Sequence, residues 1–113
     1  MTRYEDVAPI SRTDADLSFS GGEVDQICDA LVRVAYHDPD WRWVQSQCVR
    51  LSRHDDPDVR GLDVTCFGNI ARIHGVLDLD VVTPVLRDLR SDPQMGGRVG
   101  DVWDDIEVFL ANK

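Results

Sequence analysis

The most constraining stretch of this chain covers residues 55–74, DDPDVRGLDVTCFGNIARIH, in which apolar residues recur at intervals of three and four. This spacing places them along one side of an α-helix. The recurring positions are Val59, Leu62, Cys66, Phe67, Ile70 and Ile73. The stretch also carries a helix start, because Asp56 can cap the first amides, Pro57 suits the first helical position and Asp58 complements the helix dipole. Gly75 is a natural terminator, so the chain contains at least one amphipathic helix that needs neighbours on its apolar side.

Four further stretches have helical periodicity, and we therefore predict an all-α chain of about five helices. They cover about residues 23–36, 41–53, 78–90 and 94–111. Pro84 lies within the fourth predicted helix, where it should either kink the helix or mark its true start behind Thr83. Residues 1–22 mix polar and scattered apolar residues, which predicts an irregular N-terminal arm with room for one short turn of helix. The predicted organisation is thus this arm and one helical domain over residues 23–113.

The chain is strongly acidic, with a formal net charge of −9 over 113 residues. Proteins that bind nucleic acid or anionic membrane surfaces rely on Lys and Arg, so this charge argues against both as partners. A cationic partner is favoured instead. A chain of this length can bury enough surface to fold as one domain without disulfides or metals.

The three cysteines Cys28, Cys48 and Cys66 fall in predicted apolar stripes and lack C-x-x-C spacing. We interpret them as reduced core residues of a cytoplasmic protein. No stretch approaches the ~18 to 20 apolar residues of a membrane span, and the first residues lack the apolar core of a secretion signal. The three histidines lie near predicted helix ends, and together with the cysteines they match no zinc spacing. We expect no metal and no cofactor.

A two-helix unit occurs twice along the chain. When residues 56–73 are placed on residues 92–109, each segment opens with Asp-Pro, and Val59, Cys66, Phe67, Ile70 and Ile73 fall on Met95, Val102, Trp103, Ile106 and Phe109. Residues 41–51 fall on residues 79–89 in the same way, once two residues are dropped from the intervening turn. The first predicted helix is then the remnant of a preceding unit or a cap.

The motif DPDVR at residues 56–60, followed by Phe67-Gly68, resembles the second helix of a HEAT repeat. The segment around Pro84 is similar to a HEAT first helix with its characteristic proline. The resemblance covers about residues 40–110 and implies a short right-handed α-α superhelix. Two departures stand out: Asp63 occupies a position where the family prefers a small apolar residue, and Asp104 replaces the glycine that Gly68 represents.

Five residues are candidates for binding a partner. Asp63 shares the helical face of the core residues, so it should either pair with Arg98 or Arg33, or face a ligand from a concave wall. Trp43 lies two positions from the inward Trp41, so it should be partly outward, either as a binding residue or covered by the N-terminal arm. The last helix carries an acidic outer face that is either a solvated surface or a docking patch for Lys and Arg. The acidic face consists of Asp101, Asp104 and Asp105.

Short solenoids of this kind are interaction modules, so we expect a protein-binding function and no enzymatic activity. A small, acidic, cytoplasmic protein with a HEAT-like core resembles the immunity proteins of contact-dependent or polymorphic bacterial toxin systems, which block a cationic toxin by direct binding. The alternative is a HEAT-like scaffold or adaptor that assembles other proteins. A DNA glycosylase of the HEAT-like kind is disfavoured, because such enzymes need a basic groove.

Overall fold

The computed structural model describes residues 7–110 of the chain, and within this part every regular element is an α-helix. The prediction of an all-α fold is confirmed. The described part contains six helices rather than the five expected. They are α1 (Arg12–Gly21), α2 (Val24–His37), α3 (Trp41–Leu51), α4 (Pro57–His74), α5 (Leu79–Arg90) and α6 (Gly96–Leu110).

The helices pair in chain order, α1 with α2, α3 with α4 and α5 with α6, and the second helices of the pairs lie side by side. The result is two layers, with α2, α4 and α6 in one and α1, α3 and α5 on its other face. The second helices run parallel, since Cys28 near the start of α2 shares a groove with Leu62 near the start of α4, whereas Tyr36 and Ile73 share one at the other end. This stacking is compatible with the predicted superhelix, whose handedness and HEAT-like character stay predictions.

The N-terminal segment differs from the irregular arm that the sequence predicts, because residues 12–21 form helix α1. Its start is capped by Ser11, whose hydroxyl accepts a hydrogen bond of 3.1 Å from the Asp14 amide. Ala15 and Phe19, four residues apart, are buried against the rest of the core. Helix α1 thereby completes a third pair with α2, which the sequence had suggested to be a remnant or a cap. The part of the predicted arm in residues 1–6 and the predicted helix end at residue 111 lie outside the described residues.

Helix α4 is the central element, packed against α2, α3 and α6. Its start has the predicted form, with the Asp56 carboxylate accepting a 2.8 Å hydrogen bond from the Asp58 amide, and Gly75 ends it with a φ of 66°. Contact on several sides makes its buried face much wider than one stripe, and it includes Gly61, Asp63, Val64 and Gly68. Leu62 and Ile73 were both predicted to be inward. Leu62 is instead half-buried, and Ile73 is exposed.

Helix α5 begins at Leu79 and contains Pro84 in its interior. The expectation that Pro84 marks the start of this helix is therefore wrong. The proline is exposed, and the inward side is formed by Val82, Leu86 and Leu89. None of the helices in residues 7–110 is long and apolar enough to span a membrane.

Candidate partner-binding surface

Asp63 does not lie on any surface. Its side chain is fully buried, at 0% exposure, and neither carboxyl oxygen has a hydrogen-bond partner of ordinary geometry. Both predicted roles fail for this residue, since it cannot face a ligand and it pairs with neither candidate arginine. The Arg33 guanidinium instead donates to the Ala8 and Pro9 carbonyls and to Asp29, and Arg98 donates to the Gly61 carbonyl and the Thr65 hydroxyl.

Asp63 belongs to a buried polar cluster with the thiols of Cys48 on α3 and Cys66 on α4. Burial raises the pKa of Asp63 well above its usual range, and Cys66 raises it further, while the nearby Cys48 thiol counters part of the rise. The contact with Cys66, burial and the neighbouring Asp63 also raise the pKa of Cys48. Burial in this cluster therefore favours the neutral forms of the Asp63 carboxyl and the Cys48 thiol. The cluster is part of the α3–α4 core and not a binding site.

Trp43 lies at the seam between α3 and α1. The Arg12 guanidinium sits 4.7 Å from the centroid of its ring and also donates to Asp38 and Asp40. Covering by the N-terminal segment, one of the two predicted situations, is thus what the structure shows. The ring keeps partial exposure and lines a shallow groove with Thr13, Asp16 and Leu17.

The acidic face of α6 is present as the sequence predicts, but its members differ in exposure. Asp101 and Asp104 are exposed, whereas Asp105 is half-buried over α4. The Asp105 carboxylate lies 4.0 Å from the Arg72 guanidinium, which in turn donates to the side-chain oxygen of Asn69. The acidic group therefore begins at the α4–α6 seam and extends outward along α6.

The candidate residues do not form one site. Trp43 lies against residues of α1, while the aspartates of α6 lie in the layer of second helices. The acidic group and the ring would thus contact different parts of a partner.

A groove of about 570 Å³ that the sequence does not predict lies between α2 and α4. Cys28 and Val32 from α2 and Leu62 from α4 form its apolar lining, and Val7 and Ala8 contribute at one end. Cys28, predicted to be a core residue, is only half-buried here. The signal in the sequence is the spacing of four between Asp58 and Leu62 and between Cys28 and Val32, which places each pair on one helix face.

The histidines have local structural contacts. The Nδ1 atom of His54 accepts a hydrogen bond from the Asp56 amide, and His37 contacts the Val7 carbonyl. The buried Nε2 atom of His74 has no hydrogen-bond partner within the described part of the chain. In residues 7–110, no three His, Cys, Asp or Glu side chains are grouped so that they could hold a metal ion.

Comparison with known proteins gives a structural similarity over nearly the full length of the chain. No family model matches the chain, and no curated protein matches it. A chain in the crystal structure of a CDI complex from Cupriavidus taiwanensis LMG 19424 is similar, with a TM-score of 0.82 and 28% sequence identity. The similarity covers 96% of this chain and 98% of that chain, so the whole helical arrangement is shared and not only a common pair of helices.

Proposed function

We propose that this protein is an immunity protein that neutralises a cationic toxin of a contact-dependent growth inhibition system by binding it directly. The observation that carries the proposal is the similarity to a chain of a CDI complex over nearly the full length of both chains. A CDI complex pairs a toxin domain with its inhibitor. The proposal assigns this chain to the inhibitor half of such a pair, without enzymatic activity of its own.

The charge of the chain supports the inhibitor half. The net charge is −9, and three arginines near the layer of second helices direct their hydrogen bonds to groups of the same chain. Arg33 binds two carbonyls and Asp29, Arg98 binds Gly61 and Thr65, and Arg72 binds Asn69. Asp101 and Asp104 are exposed, and neither forms an ion pair within residues 7–110, so both are available to a cationic partner.

The outer face of the layer formed by α2, α4 and α6 is the proposed binding surface. Its other face is covered by α1, α3 and α5, so only this side presents three parallel helices to a partner. Carboxylates on it would steer a basic toxin towards the surface and raise the association rate. The predicted contact residues that remain available are Asp101, Asp104 and Asp105, with the half-buried Trp43 as a separate contact outside this face.

Co-expression tests the proposal. The toxin domain encoded by the gene adjacent to this one is expressed in a susceptible host, alone and together with this chain, and growth is measured. We expect toxicity that is relieved by this chain, together with a stoichiometric complex of the two purified proteins that survives high salt. Toxicity of this chain expressed alone would place it in the toxin half, and binding to many unrelated proteins without rescue would favour the scaffold.

A further inference from the structure

The groove between α2 and α4 combines a sizeable volume with an apolar floor. Its volume is about 570 Å³, and its floor is formed by the apolar atoms of Cys28, Val32 and Leu62. All three side chains are only half-buried. Cys28 and Leu62 also pack against the core. An apolar floor that stays accessible to water is stabilised when a partner covers it.

Carboxylates of α2 and α4 lie near this floor, and one of them, Asp29, lines the groove. Asp25 and Asp29 flank Cys28 on the outer face of α2, at spacings of three and one, and Asp58 lies one turn before Leu62 on α4. All three aspartates are exposed. Burial raises the pKa of the Cys28 thiol, and the negative charges of Asp58, Asp56 and Asp25 raise it further, which places these carboxylates within electrostatic reach of the groove floor.

The cation that lines the groove, Arg33, pairs with Asp29 and therefore offsets that carboxylate, whereas Asp25 and Asp58 have no cationic partner among the described residues. Arg33 donates at 3.0 Å to the Ala8 carbonyl and at 2.7 Å to the Pro9 carbonyl. It also donates at 3.2 Å to Asp29, whose side chain nevertheless remains 65% exposed. The arginine thus fastens the segment before α1 along the groove and forms one wall.

We infer that this groove receives a protruding segment of the toxin, one that carries a Lys or Arg side chain beside an apolar side chain. The inference rests on the proposed function and specifies where the partner docks. The apolar side chain covers Cys28, Val32 and Leu62, and the cation reaches the carboxylates of Asp25 and Asp58. A second copy of this chain fits the groove poorly, because it would bring a net charge of −9 to an already acidic rim.

Charge reversal with a matched control tests the cationic contact. Asp25 and Asp58 lie in the first turns of α2 and α4, and Asp14 and Asp80 occupy the same kind of position in α1 and α5. The double variants D25K/D58K and D14K/D80K therefore make the same change in net charge and perturb two helix dipoles alike. The binding probe is the purified toxin domain encoded by the adjacent gene, and the dissociation constant is measured by titration calorimetry.

We expect D25K/D58K to weaken binding by about tenfold or more, and D14K/D80K by less than about threefold. Equal losses in the two variants would overturn the groove as the docking site and leave only long-range attraction. If the unaltered chain does not bind the toxin domain at all, it is the proposed function that fails.

A second pair of variants tests the apolar contact. Leu62→Gln makes the floor of the groove polar, and Leu79→Gln makes the same change at an exposed leucine of α5. We expect L62Q to weaken binding at least about tenfold and L79Q to leave it unchanged, with both variants retaining the helical circular dichroism of the unaltered chain. Unchanged binding in L62Q would contradict the inference.

The remaining occupants have distinct signatures. Sedimentation of the unaltered chain as a dimer that L62Q converts to a monomer would assign the groove to a second copy. If deletion of residues 2–6 and L62Q each lower the thermal stability, and both variants still bind the toxin, the groove would be assigned to the chain's own N-terminal segment. Either result would overturn the docking of a toxin segment.

Discussion

The carboxylate of Asp105 on α6 lies directly over Gly68 on α4, with one oxygen 2.7 Å from the position that a Cβ atom on Gly68 would occupy. A second contact of this kind lies one heptad earlier, where the Arg98 guanidinium is 3.2 Å from the corresponding position on Gly61. Two glycines seven residues apart on α4 thus admit two charged side chains seven residues apart on α6. The close approach explains why these parallel helices pack so tightly while carrying charge at their seam.

Gly68→Ala should displace the Asp105 side chain without unfolding the protein. The new methyl group would clash with a carboxylate oxygen, but this atom is the end of a side chain that can rotate away. An alanine within a helix is favoured over glycine by about 1 kcal/mol, which offsets much of the lost contact. We expect the free energy of unfolding to change by no more than about 1 kcal/mol, and toxin binding to weaken if Asp105 is a contact residue.

Gly100→Ala is the control for this prediction. Nothing lies within 4 Å of the position that its Cβ atom would take, and the residue is exposed on α6. It should gain up to about 1 kcal/mol in urea unfolding because no side chain has to move. A loss of several kcal/mol in Gly68→Ala would show that Asp105 is not free to rotate.

Asp63→Asn should change the pH dependence of stability. Burial raises the pKa of Asp63, so the folded chain keeps a proton that the unfolded chain releases above about pH 4. The stabilising contribution of the Asp63 proton is therefore fully present at low pH. It decreases as pH rises, by at most ~1.4 kcal/mol per pH unit. The free energy of unfolding of D63N, measured relative to that of the unaltered chain in urea, should increase as pH is raised from about 4.5 to about 7.5.

Val64→Ala separates this effect from a general weakening of the core. Val64 neighbours Asp63 and is also fully buried, and its truncation removes apolar contacts without involving a proton. It should cost about 2 kcal/mol at both pH values. If the difference between D63N and the unaltered chain were equally independent of pH, Asp63 would not be protonated in the folded state.

Local sequence signals predicted helix α4 well. Structure that depends on contacts between distant residues could not be predicted from the sequence. Asp56 caps the first turn of α4 and Gly75 ends its last turn. Because both act on neighbouring residues, the boundaries of α4 could be inferred from the sequence alone. Helix α1 was missed because only Ala15 and Phe19 are buried in it, which leaves almost no periodicity to detect. Its stability comes from contacts with distant residues, such as that of Arg12 with Asp38.

The candidate site shows the same division. Periodicity placed Asp63 beside the core face of α4, but only the packing of α3 against α4, which brings Cys48 to it, decides that the carboxyl is enclosed. The acidic face of α6 depends on spacing within one helix and could be predicted. The groove requires α2 and α4 to be neighbours and parallel, and no single stretch of sequence contains that information.

Arg12→Ala should loosen α1 and expose Trp43. The hydrogen bond from Arg12 lowers the pKa of Asp38, so this pair contributes stability above the usual carboxyl pKa, and the contribution is lost as pH falls. We expect faster hydrogen exchange in α1 and a red shift of tryptophan emission at neutral pH, both shrinking towards pH ~3. Arg53→Ala, at an exposed position just after α3, should change neither signal. Protection of α1 that is unaltered in R12A would show that Ala15 and Phe19 hold the helix without it.

Asp101→Lys with Asp104→Lys should slow the association with the toxin domain more than it destabilises the complex once formed. Both carboxylates are exposed on one face of α6 one turn apart, so they act mainly through the field that steers a basic partner. We expect the association rate constant to fall about tenfold at low ionic strength, and the difference to shrink at about 0.5 M salt because exposed charges are then screened. Stopped-flow fluorescence measures both rates, and D80K/D88K on α5 provides the same change in net charge at exposed positions in the other layer. Equal slowing in the two double variants would mean that net charge alone steers the toxin and that α6 holds no special place on the binding surface.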